Sequence, residues 1–190
     1  MDIMLDLETM GTSPAAAIIA IGACTMDFET GDIGETFYKK ITLSSAVESG
    51  GIIDPDTVLW WLAQNDAARF EFIAGNNGQA LSLYAELSQF EAWIKTISDP
   101  KTVRIWGNGS DFDNVILGDS YRRIKMDIPW KFYNNRCYRT VKNLYPEIKL
   151  VRSGTAHNAL DDAITQAKHL IAIMQLINQA DTLKKADKPA

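Results

Sequence analysis

Only two cysteines, Cys24 and Cys137, occur in 190 residues, far apart and in no ligand spacing. This excludes a disulfide-stapled scaffold and a cysteine-based zinc site; the pair reads as reduced core thiols in a reducing compartment. No apolar run approaches the ~20 residues that span a bilayer, and no charged-then-apolar leader opens the chain. The expectation is a soluble, unprocessed protein with no membrane partner. Basic residues are also scarce, with a formal net charge of −5. Broad electrostatic adhesion to DNA or RNA rests on a basic surface, which this chain lacks. There is no internal repeat and no linker. With 46% hydrophobic and 23% charged residues, residues 1–180 read as one domain large enough for its own core. Residues 181–190 (DTLKKADKPA) read as a polar, mobile C-terminal tail.

Against this ordinary background, Leu5-Asp6-Leu7-Glu8-Thr9-Met10-Gly11 stands out. Met4–Leu7 reads as a short buried strand, apolar except where an acid interrupts it. Asp6 and Glu8 are two residues apart, so a strand's period of two sets both carboxylates on one face. Two like charges side by side in an apolar setting are costly unless a cation lies between them. The pair therefore points to a divalent metal site at the end of the first strand.

The rest of the chain reads as an α/β layer. Ile18–Met26 (IIAIGACTM) is a continuous apolar run suited to a central strand, and Gly34–Ile41 a third strand that forms a hairpin with it. Asp54-Pro55 opens a helix with Asp as N-cap and Pro in the first turn. That helix carries Trp60 and Trp61, about 100° apart, so one faces the core and the other lies at the surface near a ligand. Asn76-Asn77-Gly78 is a loop, Leu81–Ile97 a helix, and Val103–Trp106 a fourth strand. Gly107-Asn108-Gly109-Ser110-Asp111-Phe112-Asp113 then leads into a helix over Asn114–Ile124; strand-end loops are where open α/β sheets place ligands. A fifth strand and a short helix lie around Asn134–Thr140, and a long helix with an apolar stripe follows Gly154–Asn158.

Acidic positions thus recur at strand ends and helix starts: Asp6, Glu8, one of Asp111 and Asp113, and one of Asp161 and Asp162, with His157 just before the last pair. Hard divalent ions such as Mg²⁺ prefer carboxylate oxygens and keep water sites open to phosphate. Two such ions ~3.5–4 Å apart clamp the attacking and leaving oxygens of a phosphodiester displacement. A histidine beside the activated water serves as general base near neutral pH. Two bound divalent ions would also offset four units of the negative charge, so the acidic balance is compatible with a nucleic-acid enzyme.

The three motifs, Asp6-Leu7-Glu8, Asn108-Gly109-Ser110-Asp111-Phe112-Asp113 and His157-Asn158-Ala159-Leu160-Asp161-Asp162, resemble those of the DEDDh 3′–5′ exonucleases in order and separation. The resemblance covers residues 1 to about 175. A closer resemblance is to the group of exonuclease A from T-even bacteriophages, through D-L-E-T-M-G at 6–11, the Trp60-Trp61 pair, G-x-x-x-D-F-D at 107–113 and Arg136-x-x-Arg139-Thr140. It implies a ribonuclease-H-like fold, a central mixed β-sheet of about five strands flanked by α-helices. It also implies two divalent cations, Mg²⁺ or Mn²⁺, and a cytoplasmic setting in a bacterial or phage-infected cell.

Carried over position by position, the family pattern selects Asp113 over Asp111 and Asp162 over Asp161. Asp6 then bridges both ions, Glu8 shares the first ion and orients water, and Asp113 supports the second ion. Asp162 binds the ion that activates water, and His157 is the base. Thr9 and Met10 are implied as contacts to the terminal nucleotide, Asn108 and Phe112 as neighbours of the scissile phosphate and its base. Arg139 is a phosphate contact, and Trp61 is assigned to the substrate. His169 matches no motif and reads as structural. The implied partner is the 3′ end of single-stranded DNA, or RNA, held by stacking against an unpaired base. A catalytically silent end-binding domain is the contrasting reading, and it usually lacks one of the five chemical residues that are all filled here.

Overall fold

The computed structural model describes residues 1–74 and 80–186. The expected loop at Asn76-Asn77-Gly78 and the last four residues lie outside them. Strand β1 (Asp2–Thr9) is flanked by β2 (Ile18–Met26) and β4 (Arg104–Gly107), with β3 (Ile33–Lys40) and β5 (Asn135–Cys137) at the edges. The order is β3-β2-β1-β4-β5; β1, β2 and β3 pair antiparallel, while β4 and β5 run parallel to β1. This five-stranded mixed sheet with helices on both faces is the ribonuclease-H-like architecture that the motifs imply.

Alternation along β1 builds two cores. Ile3, Leu5 and Leu7 point to one face, where they join Leu83, Leu87, Phe90 and Ile94 of α4 (Leu83–Ile97) and Ile116 and Leu117 of α5 (Asp113–Arg123). Met4 points to the other face, with Cys24, Trp106, Tyr138 of α6 (Tyr138–Leu144) and Ala163, Ala167 and Leu170 of α7 (Ala159–Ala186). Asp6 and Glu8 share Met4's parity and therefore fall under α7 rather than α4. Full burial pushes the Cys24 thiol up to about 12, an inert core thiol.

Two local devices set α7 in place. Asn158 caps it, its side-chain oxygen accepting from the N–H groups of Leu160 and Asp161 at 3.1 Å each. Gly22, the cross-strand neighbour of Asp6, lets the helix sit directly on the sheet. A Cβ at Gly22 would lie 2.1 Å from the backbone carbon of Ala159. The first turn of α7, which carries Asp162, is thus pressed against the centre of the sheet.

Helix α2 (Pro55–Ala63) starts as its sequence requires, with the Asp54 side chain accepting from the Asp56 N–H at 3.1 Å. Two further helices, α1 (Leu43–Glu48) and α3 (Asp66–Ala74), carry no strong periodic signal and are not anticipated by the sequence pattern. Helix α7 continues to Ala186, through most of the stretch expected to be a tail. Its Ala, Leu and Lys content favours helix. Among the described residues no helix is long and apolar enough to cross a membrane.

Candidate active site

The carboxylates meet at the C-terminal end of β1. Asp6 and Glu8 come from the strand, Asp113 from the first turn of α5, and Asp162 from the first turn of α7. The ambiguous acids separate by burial: Asp113 is 1% exposed and Asp162 8%, whereas Asp111 faces solvent. Asp161 turns instead to the preceding loop, accepting from the Thr155 N–H at 2.7 Å.

Asp6, Asp113 and Asp162 are each held by specific donors. Asp113 accepts from the backbone N–H of Leu7 at 3.1 Å and of Asn108 at 2.7 Å, tying β1, the β4–α5 loop and α5 together. Gln166, one helical turn beyond Asp162, donates to Asp6 at 2.6 Å. Asp162 accepts the His157 N–H at 3.0 Å on one oxygen and the Arg152 guanidinium on the other.

Electrostatically the cluster carries more negative than positive charge, Arg152 facing Asp162 and Arg139 acting on Asp113. Burial, with repulsion from Asp113, Glu8 and Asp162, holds the Asp6 carboxyl well above its usual range, although Gln166 opposes this. Burial likewise pushes Asp113 up to about 6; the Asn108 and Leu7 N–H groups and the charge of Arg139 pull the other way. Such carboxylates fit a hard divalent cation that would supply the missing counter-charge. Glu8, His157 and Asp162 each offer a ligand atom, and these three atoms lie within 4.8 Å of one another. The side chains form a candidate metal centre by both donor chemistry and spacing.

The centre opens into a cleft of about 750 Å³ lined by Thr9, Trp60, Trp61, Asn108 and Phe112 among others. The expected substrate contacts lie at different depths. Met10 is 2% exposed and lies in the core with Leu7. The strand register shifts between Glu8 and Thr9, which reverses the alternation and turns Met10 away from the carboxylate face. Trp61 is also buried, 3% exposed, and its indole N–H donates to the Thr9 carbonyl at 3.0 Å. Its neighbour Trp60 is the exposed ring of the pair, edge-on to His157 with centroids 5.0 Å apart. The expectation of one core and one surface tryptophan therefore resolves with Trp60 outward and Trp61 bracing the strand end. Asn108 and half-buried Phe112 line the cleft, while Arg139 is exposed beside Gly109. His157 adopts a left-handed backbone, φ 64°, at the end of its loop. His169 is structural, held between the Tyr138 hydroxyl at 2.6 Å and the Ile148 carbonyl at 2.8 Å.

Gln166, Arg152, Lys142 and Trp60 also line the cleft. Gln166 had a legible signal, since four residues from Asp162 is the same face of one helix. Arg152 and Lys142 had none, being brought in by tertiary packing from the α6–α7 region.

Sheet order, helix placement and the convergence of acids on the end of β1 are those of the DEDDh-like, ribonuclease-H-like fold family. The chain belongs to the family of the 3′–5′ exoribonuclease Rv2179c-like domain, whose pattern matches residues 1–174. It is 28% identical over 160 residues to an exodeoxyribonuclease of Enterobacteria phage T4, covering 73% of this chain and 69% of the phage protein. Its fold resembles the nuclease domain of 3′hExo, a DEDDh family member solved with rAMP, with TM-score 0.62 and 14% identity over 92% of this chain and 91% of that one. It also resembles exonuclease I of E. coli solved with a dT13 oligonucleotide, with TM-score 0.66 and 16% identity over 96% of this chain and 43% of that one.

Proposed function

We propose that this protein is a metal-dependent 3′–5′ exonuclease that removes nucleoside 5′-monophosphates from single-stranded DNA. The observation that carries the proposal is the convergence of Asp6, Glu8, Asp113 and Asp162 beside His157, with Asp6 and Asp113 raised by burial and Asp6 also by its acidic neighbours. Asp6, Glu8, Asp113 and Asp162 would hold two divalent cations, Mg²⁺ or Mn²⁺. When bound, these ions neutralise the phosphoryl oxygens and make water a better nucleophile.

The chain's own residues do the rest. His157 accepts a proton from the attacking water as its oxygen bonds to phosphorus, and the 3′-oxygen of the penultimate nucleotide leaves and takes a proton from solvent. The His157 ring nitrogen and the acceptor oxygens of Glu8 and Asp162 lie within 4.8 Å of one another, so the base stands beside two of the acids that would hold the ions. Trp60 and Phe112 offer apolar faces to an unpaired terminal base, a mode of grip that tolerates sequence and favours single strands. Lys142 and Arg139 supply positive charge for the phosphates.

A second reading, a 3′–5′ exoribonuclease on the same site, is favoured by the description of the family to which the chain belongs. DNA is preferred here from the phage relative. The test is digestion of matched 5′-labelled DNA and RNA single strands with Mg²⁺, with Mn²⁺ and with chelator. A metal-dependent ladder shortening from the 3′ end, faster on DNA, is expected. Faster loss of RNA reverses the substrate, and no cleavage of either strand moves the protein to the silent end-binding class.

A further inference from the structure

Arg152 belongs to none of the three motifs, yet it occupies one of the acids in them. Its guanidinium donates to Asp162 Oδ1, and the second oxygen of Asp162 already accepts the His157 N–H at 3.0 Å. Both oxygens of a proposed ligand are therefore committed to protein donors. The Arg152 side chain is nonetheless 44% exposed on the cleft wall, whereas that of Asp162 is 12% exposed. Next to it, Ser153 is fixed to α7 by reciprocal bonds with Thr165, 3.0 Å from the Ser153 N–H to Thr165 Oγ1 and 3.0 Å from the Thr165 hydroxyl to the Ser153 carbonyl. The backbone at this point is pinned while the long side chain has solvent to move into.

A guanidinium stays charged at any physiological pH, so it leaves a carboxylate only by exchange. In a cleft with four carboxylates, it partly supplies the counter-charge that divalent ions would otherwise bring. Once displaced, it stands at the rim of a cleft that has gained positive charge, and the nearest new anion is the backbone of a bound strand. Its planar fork suits a phosphate as well as it suits a carboxylate.

We propose that Arg152 is an exchangeable counter-ion, holding Asp162 while divalent ions are absent and binding a phosphate of the strand once they are present. This rests on the metal-nuclease reading above. It makes metal and strand binding reinforce each other, because the strand gives the displaced arginine a new partner and so weakens its competition for Asp162.

The test uses the full chain, wild type and Arg152→Gln, in two titrations. Calorimetry with Mn²⁺ alone is expected to give about five-fold tighter binding in the variant, the size of a partly exposed ion pair removed from competition. Anisotropy of a 5′-fluorescein single strand with a phosphorothioate 3′ linkage, in saturating Mn²⁺, is expected to show about ten-fold weaker binding in the variant. Arg152→Lys should recover part of the strand affinity. Equal or weaker Mn²⁺ binding by Arg152→Gln overturns the competition, and equal strand affinity overturns the transfer to phosphate. A wild-type chain that takes up no Mn²⁺ overturns the metal-nuclease reading and this inference together. A wild type that binds Mn²⁺ and shortens strands, with a variant identical to it in both titrations, overturns this inference alone.

Discussion

Stability of the metal-free protein should fall as pH rises from 5 to 7.5, and divalent ions should reverse that slope. The buried Asp113 carboxyl is pushed from 3.8 to about 6. A group raised in the folded state carries no penalty below its unfolded value. The penalty accumulates as pH rises from there and is complete above the folded value. Two units correspond to about 3 kcal/mol at most, of which roughly half, 1–2 kcal/mol, develops between pH 5 and 7.5. Asp6, raised for the same reasons, adds in the same direction.

The assay is urea unfolding in chelator at several pH values, for wild type and Asp113→Asn, taking the difference at each pH. The variant forfeits one of the two N–H bonds at this site, a cost that does not vary with pH, so the slope of the difference isolates the charge. With Mg²⁺ or Mn²⁺ the wild type should gain stability as pH rises, because the ligating carboxylates must be ionised. A flat or rising difference in chelator would refute the claim that burial raises the Asp113 carboxyl.

Asp6→Asn and Asp162→Asn should each abolish strand shortening while retaining a cooperative melt, and near-wild-type turnover in either would remove that acid from the site. His157→Ala should lower the rate ~10²–10⁴-fold, as loss of a general base does; single-turnover kinetics provide the check, and a change below ten-fold would exclude that role. Gly22→Ala should destabilise the protein by about 1–3 kcal/mol or more. It should also weaken Mn²⁺ binding measured by calorimetry, because the new methyl meets the Ala159 backbone and moves the turn that bears Asp162. Unchanged stability and affinity would show that α7 is not seated there.

What the sequence made legible follows from periodicity and from short-range chemistry. The apolar run Ile18–Met26 is β2 end to end, because a strand buried on both faces needs apolar residues at every position. The alternation Asp6-Leu7-Glu8 gave the shared face of two carboxylates without any knowledge of the fold. Met10 was not legible, since a register shift of one residue inverts facing and leaves no mark in composition. Adjacency could say that Trp60 and Trp61 diverge but not which turns inward; that is decided by the Thr9 carbonyl at the strand end, which captures the Trp61 indole. The six-residue helix α1 is too short for its apolar spacing to signal. Arg152 meets Asp162 only through the path of a loop, so no local pattern could have announced it.

The central position of β1 bears on how the site fails. Asp6 and Glu8 lie on the central strand, paired with Gly22 and Ala20 of β2, and their backbone amides are protected from exchange while that pairing holds. His157 hangs on the loop before α7, which is bonded to that helix from Arg152 onward but leaves Leu150 and Val151 45% and 79% exposed. Deuterium uptake should accordingly be slower at Asp6 and Glu8 than at residues 149–151. Warmed toward its melting point, the protein would lose the proposed proton acceptor by local opening before its acidic platform disperses. Heat inactivation would then begin reversibly, and cooling should restore activity until the sheet itself comes apart.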